Sequence, residues 1–234
     1  MPIFQKNPIT MRGRLEKCWL FTFRTPEEDV AGLIPDQLTL LSRDGFAFWN
    51  IVVCEISGLR PAGIPLWMGL RYRHVGYRLY VRYQPNGVPV EGLYFVRSDC
   101  DSGLIKITGN LLTDFDFHRA KVGIEDTSVS IDSPDASALA KMDHEVPVSL
   151  SPGSPFDSIY QAKAVLKYKP FGIAPGSNGK MNVVAIARDE DAWRSKLVHV
   201  AEQDWAFFKG RNVVPEVCYE VDPIEYRWNR GRIV

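Results

Sequence analysis

Two hydrophobic periods alternate along this chain. From Phe46 to Val53 the apolar residues fill both alternating sets, with Phe46, Phe48 and Val52 joined by Asn50 on one face and Ala47, Trp49, Ile51 and Val53 on the other. A strand apolar on both faces predicts a central position in a covered sheet. From Tyr77 the set Tyr77, Leu79, Val81 and Tyr83 opposes Arg78, Tyr80 and Arg82, and Leu93-Tyr94-Phe95-Val96 resumes after Asn86-Gly87. That is the pattern of a β-hairpin. Further strands are expected over 128–131, 146–150, 164–168 and 181–186, separated by Pro, Gly, Ser and Asp. The stretch 58–65 reads as a loop stiffened by Pro61 and Pro65, and 226–232 as a terminal strand and tail.

The helical period is rarer. Thr25 can cap a short helix with Pro26 at its first position and Glu28 completing a capping box, and Pro35 limits its length. A long helix is expected late, capped by Asp189, with Trp193, Leu197, Val200, Ala201, Trp205 and Phe208 on one face and Gly210 as its stop. Leu104, Ile107 and Leu111 also fall at helical spacing, yet Ile105, Ile107, Thr108 and Gly109 are poor helix formers, so period and propensity conflict there.

At 234 residues and 45% hydrophobic content the chain can bury one sizeable core, and residues 1–234 are read as a single domain of β-rich α+β class. Its 28 Lys+Arg balance 28 Asp+Glu. No overall field then favours nucleic acid or an anionic membrane, so neither is expected as a partner. No apolar run has the length to span a bilayer and the first residues lack a signal-peptide core, which predicts a cytoplasmic protein. Cys18, Cys54, Cys100 and Cys218 are widely spaced and read as free thiols.

Most chemical motifs fail on inspection. Ala174 to Lys180 approaches a phosphate loop, but Met181 stands where Ser or Thr would meet magnesium and a strand follows, so Asn178-Gly179 is read as a hairpin turn. Asp99 to Gly103 lacks the glycine and distal glutamate of a calcium loop and reads as a polar turn. The four histidines show no metal-ligand spacing and no G-x-S-x-G elbow occurs, so no metal and no cofactor is expected. Arginines interleave with tyrosines from Arg71 to Tyr83 as in a base-stacking platform, but with zero net charge a solvated strand face explains them better.

The stretch from Gly76 to Val122, GYRLYVRYQPNGVPVEGLYFVRSDCDSGLIKITGNLLTDFDFHRAKV, carries the strongest signal. It resembles the core of the acetoacetate decarboxylase-like superfamily, in which a Tyr-x-Glu-Leu strand, a Gly-containing hairpin, an Asp-rich turn, a helix with Gly-Arg-Glu and a strand with paired lysines follow in order. On that pattern the strand glutamate falls on Arg78, Gly-Arg-Glu on Gly109-Asn110-Leu111, and the lysines on Phe117 and His118. Residues 26–53 extend the similarity upstream. The arginine at 78 and the run Phe117-His118-Arg119-Ala120 resemble the YqjF-like branch of that superfamily. The resemblance implies a helix over 104–111, a bent antiparallel sheet or barrel with a few peripheral helices, and an internal pocket. It also implies a homodimer, for which the late aromatic helix would offer a surface.

The resemblance places Arg78 and His118 on the pocket, with Phe117 at the Schiff-base lysine position and Tyr94 and Arg97 as further candidates from the second hairpin strand. An arginine shielded from water holds a carboxylate in bidentate fashion, and a histidine titrates near neutrality. The expected ligand is a small organic acid or related metabolite. The chemistry expected is that of a non-Schiff-base lyase, hydratase or isomerase, with His118 moving the proton; the alternatives are a pocket that only binds and an interaction protein with a vestigial pocket.

A Schiff base needs an unprotonated amine, which in this superfamily a neighbouring lysine secures. Here both positions are lost, and Lys121 would lie roughly 13 Å beyond Phe117 along a strand. Incubation with acetoacetate or acetopyruvate followed by borohydride should leave the intact mass unchanged. A stable adduct on Lys121 would show that the nucleophile had moved within the scaffold.

Overall fold

A computed structural model of the protein describes residues 6–176 and 179–234, with Asn86 described in its backbone only. Four long antiparallel strands form its centre: β1 (Met11–Pro26), β3 (Phe46–Pro61), β4 (Leu70–Tyr83) and β5 (Val90–Cys100), ordered β1-β3-β4-β5. The short β2 (Leu38–Leu40) pairs with β4. The expected strand segments 77–83 and 93–96 thus belong to a longer hairpin, closed by a 3-10 turn at Pro85–Gly87.

Beyond β5 the sheet continues through β10 (Phe171–Pro175), β11 (Met181–Arg188) and β14 (Ile224–Trp228). β14 then pairs with the first half of β1, Met11 opposite Trp228 through Leu15 opposite Ile224, so the pairing returns to where it began. Register slips between Arg12 and Arg14, Leu15 and Lys17, Ile56 and Leu59, and Tyr77 and Arg78 are the local bends that allow so strong a curvature. The second half of β1 pairs instead with β13 (Val214–Val221), which leads on to β12 (Ser195–Trp205), β9 (Ala138–Asp143), β8 (Ser128–Asp132) and β7 (Lys121–Ile124). A two-residue β15 (Arg232–Ile233) borders β11.

The central strands are therefore covered on both faces, which is why 46–53 is apolar on both. On one face Trp49, Ile51, Val53, Tyr77 and Leu79 pack with Val122, Ile131, Met142 and Trp205 of the outer arm. On the other, Leu20, Val52, Cys54, Tyr72 and Tyr80 pack inside the curved sheet with Ile186, Tyr226 and two helices, α1 (Gly103–Leu112) and α2 (Ile159–Val165). The α1 conflict resolves as the resemblance implied. Ser102 caps it by accepting the Ile105 amide, and Ile105 is its buried residue while Leu104, Ile107 and Leu111 face outward.

Several expectations are corrected. The sheet is mixed rather than antiparallel, because β10 and β6 (Phe117–Arg119) both run parallel to β5 along one edge. The expected late helix is strand β12; a register slip between Val200 and Glu202 shifts its alternation by one residue, and the shifted pattern imitates a helical stripe. With it goes the aromatic helix offered as a dimer surface. The expected strand at 164–168 is the end of α2 and its exit, since Ser158 caps a helix by accepting the Gln161 amide. No strand forms at 146–150, where Pro147 removes a ladder donor. Thr25 ends β1 with its hydroxyl unpaired, and only two single 3-10 turns, Glu27–Asp29 and Ala31–Leu33, follow it. Ser177 and Asn178 lie outside the described residues; β10 and β11 on either side pair as a hairpin. All four cysteines are free and buried, and no described helix is long and apolar enough to cross a membrane.

Candidate functional site

Alternation along β4 sends His74, Gly76, Arg78 and Tyr80 to the inside of the curved sheet. Asn50 lies directly opposite Arg78 on β3, and Cys18, Cys54, His74 and Cys100 form one row across β1, β3, β4 and β5. Gly76 keeps the space between His74 and Arg78 open: a Cβ there would meet Val52 at 3.0 Å and the His74 ring at 3.4 Å.

Two adjoining cavities occupy this interior. The inner one, about 60 Å³, is lined by Arg78, His74, Cys18, Cys54, Tyr168, Trp193 and Tyr226 among apolar neighbours. The outer one, about 170 Å³, opens beneath α1 and shares Ile56, His74, Phe95, Ile186 and Trp228 with the inner. Its distinct lining is mainly apolar and includes Ile105, Phe115 and Phe117. Gly109 brings α1 close over that wall, since a Cβ there would lie 2.6 Å from the Phe117 ring.

Arg78 is buried, with one guanidinium nitrogen donating to Asn50 Oδ1 and its plane 5.5 Å from the Phe95 ring centre. Asn50 donates in turn to the Tyr80 hydroxyl at 2.7 Å, which donates to the Leu166 carbonyl at 2.7 Å. Among the described residues no carboxylate pairs with Arg78, and its Nε, the Tyr168 hydroxyl and His74 Nε2 have no hydrogen-bond partner. Burial pushes the Arg78 pKa down despite the neighbouring tyrosines and thiols. Burial first and Arg78 second push His74 down to about 3, so its imidazole is neutral at physiological pH. Burial likewise pushes the Cys18 thiol up to about 12, which makes it a poor nucleophile. Behind the lining rings, the Arg188 guanidinium lies 3.4 Å from the Trp193 ring centre and 4.1 Å from that of Tyr168; Glu190 and the Tyr226 hydroxyl accept from it.

Of the residues singled out from sequence, the structure brings Arg78 and Phe117 to these cavities, one to each. His118 does not join them: it lies on the outer side of β6, 41% exposed in its side chain, with Nε2 2.9 Å from Asp116. Tyr94 and Arg97 are also elsewhere: the register slip between them puts both on the face of β5 opposite Phe95. Tyr94 packs in the outer-arm core, and Arg97 donates to Asp99 at 2.8 Å and to Ser133 at 3.0 Å. Sequence reasoning missed His74 and Tyr168. His74 was recoverable, being four residues before Arg78 and hence on the same strand face with a glycine between. Tyr168 follows a helix read as a strand and had no such signal. Among the described residues no lysine lines either cavity, and no group of three or more His, Cys, Asp or Glu side chains is placed to hold a metal.

Comparison with known proteins agrees with this architecture. The DUF2071 family, described as an uncharacterised conserved protein, matches residues 12–213. No curated protein matches the chain. Among solved structures, an acetoacetate decarboxylase-like enzyme from Sphingomonas wittichii RW1 is similar with a TM-score of 0.60 at 11% identity, over 98% of this chain and 94% of that one. The enduracididine biosynthesis enzyme MppR, complexed with the condensation product of pyruvate and imidazole 4-carboxaldehyde, gives 0.58 at 11% over 97% and 89%. Acetoacetate decarboxylase from Legionella pneumophila gives 0.54 at 15% over 95% and 86%. The chain belongs to the DUF2071 family, the YqjF-like branch, and has the acetoacetate decarboxylase-like fold.

The half-buried, neutral His74 carries a pH signature. Its folded pKa lies below the ordinary 6.5, so between about 3 and 6.5 the unfolded chain binds more protons, and the folded state loses stability as pH falls through that window. The loss should approach about 1.4 kcal/mol per pH unit between pH 6 and 4.5, ahead of most carboxylate titration. Subtracting the urea-unfolding profile of His74→Gln from that of the wild type isolates it, because Asp99 and the other carboxyls titrate in both. Parallel profiles would mean that His74 is protonated in the folded protein.

Proposed function

We propose that this member of the DUF2071 family binds a small organic acid in the paired cavities, with its carboxylate on Arg78. The observation that carries this reading is a buried guanidinium with no described carboxylate partner and a free Nε facing an inner cavity. Burying an unpaired cation costs several kcal/mol after relaxation, and an anion at that point removes most of the cost. Arg78 Nε and the Tyr168 hydroxyl are the unpaired donors among the residues of the inner cavity, and together they offer a carboxylate two hydrogen bonds. A fold neighbour in complex with a pyruvate condensation product supports the choice of ligand size, although it is a different protein at 11% identity.

Chemistry at this site would be that of a lyase, hydratase or isomerase without a Schiff base. The neutral His74, which lines both cavities with Nε2 unpaired, is the candidate proton carrier, since a carboxylate on Arg78 would offset the cation that helps hold its pKa down. His118, the candidate from the resemblance, is turned away from that space. A pocket that binds without turnover uses the same anchor, and it differs only in leaving a panel of keto, hydroxy and enol acids unchanged on incubation.

Arg78→Met tests the anchor. A carboxylate at a hundred times its Kd stabilises the wild type by about 2.7 kcal/mol, or roughly 5–10 °C in Tm for a chain of this size. The variant should fold and show no such shift with the same acids. A shift of equal size in Arg78→Met would place acid binding elsewhere.

A further inference from the structure

The two cavities differ in chemistry, and the difference defines the ligand more narrowly. Charge is confined to the inner end, where Arg78 is the one charged side chain in the lining. The outer cavity has none: its lining is aliphatic and aromatic except for Asn7, Tyr72, His74, Thr108 and Thr113. At about 170 Å³ it far exceeds the roughly 15 Å³ that one water needs, and an apolar space of that kind is filled favourably by hydrocarbon rather than by solvent.

The walls are fixed structurally. Ile56, His74, Phe95, Ile186 and Trp228 line both cavities, so the boundary between them is mostly apolar. On the outer side, α1 presents Ile105, Thr108, Gly109 and Leu112 to the space. The chain before β1 lies across the end of that helix, where Lys6 donates to the carbonyls of Asn110 at 3.0 Å and Leu111 at 3.2 Å. Pro8 and Ile9 of the same segment and Met11 at the start of β1 complete the rim.

From this we infer that the ligand is an amphiphilic monocarboxylic acid: its carboxylate meets Arg78, the atoms next to the carboxylate pass His74, and an unbranched aliphatic or aromatic tail fills the outer cavity under α1. The inference rests on the Arg78 reading and adds the tail. It excludes dicarboxylates, sugar acids and phosphorylated acids, because a second anion or a polyol in the outer cavity would lose its water and find no cation there. Thr108 and Thr113 stand at the α1 side as the polar groups nearest the tail's outer end, and both hydroxyls already donate within the helix, to Leu104 and Gly109 at 2.8 Å. They therefore offer little to a polar tail.

Calorimetric titration of the purified full-length protein with the straight-chain acids from acetate to decanoate, and with phenylacetate and glutarate, tests the tail. Affinity should rise about two- to fourfold per added methylene until the cavity is full and fall beyond that length. Glutarate should bind at least tenfold more weakly than pentanoate. Thr108→Trp, which narrows the outer cavity from the partly exposed face of α1, should shift the optimum to a shorter acid. Arg78→Met should weaken every acid in the series. If the wild type binds acetate through Arg78 and affinity is flat or falls with chain length, the amphiphilic ligand is wrong and the anion anchor stands. If the acids bind equally well to Arg78→Met, or none binds the wild type, the anchor itself is wrong.

Discussion

One buried charge with no counter-charge among the described residues sets the terms for this site. Arg78 sits on a central strand, inside the curvature of the sheet, among Cys18, Cys54, Tyr168 and Phe95. The Asn50 side chain satisfies part of its guanidinium, and Tyr80 and the Leu166 carbonyl hold Asn50 in place. That chain orients the cation without neutralising it. Elsewhere the protein pairs its buried charges directly: Arg24 meets Glu216, and Arg97 meets Asp99. The contrast between those closed pairs and the open one is what supports the proposal that the partner of Arg78 comes from outside the chain.

The fold makes such a site affordable. Burial on both faces of β1, β3, β4 and β5 gives the structure two large cores, so that a local loss inside the curved sheet is offset by packing on the other face. The same curvature produces the cavities. Two parallel strands, β10 and β6, cover different parts of the β5 edge, with β10 opposite Leu93 and Tyr94 and β6 starting opposite Ser98. Phe95 lies between the two contacts, on both cavities, and packs on Phe115 at 4.3 Å between ring centres. The register slip between Tyr77 and Arg78 sets Arg78 against Phe95 and leaves Arg97 on the opposite face.

The sequence carried the central sheet and pointed to Arg78, which the structure places on the inner cavity. Alternation alone placed β3, the β4–β5 hairpin and β11, and the resemblance converted an ambiguous 104–111 into α1 and singled out Arg78. What failed failed for local reasons. A one-residue slip in β12 imitates a helix, and the short apolar run at 164–168 has no period long enough to distinguish strand from helix. His118 was misplaced because similarity of a motif fixes a position on the chain and not the direction of a side chain on a three-residue strand edge. His74 could have been found by carrying the alternation from Arg78 back through Gly76, whereas Tyr168 reaches the cavity only through the path of the chain after α2.

Ligand-free stability is the most direct measure of whether Arg78 is an open charge. Equilibrium urea unfolding of exhaustively dialysed Arg78→Met and wild type at pH 7 compares the two without any assumption about the acid. Replacing a buried cation that lacks a counter-charge by an apolar side chain of similar length should leave the protein within about 1 kcal/mol of the wild type or make it more stable. A loss of about 3–5 kcal/mol would contradict the account, because that is the cost of breaking a compensated buried ion pair and would mean that Arg78 already has its partner within the chain.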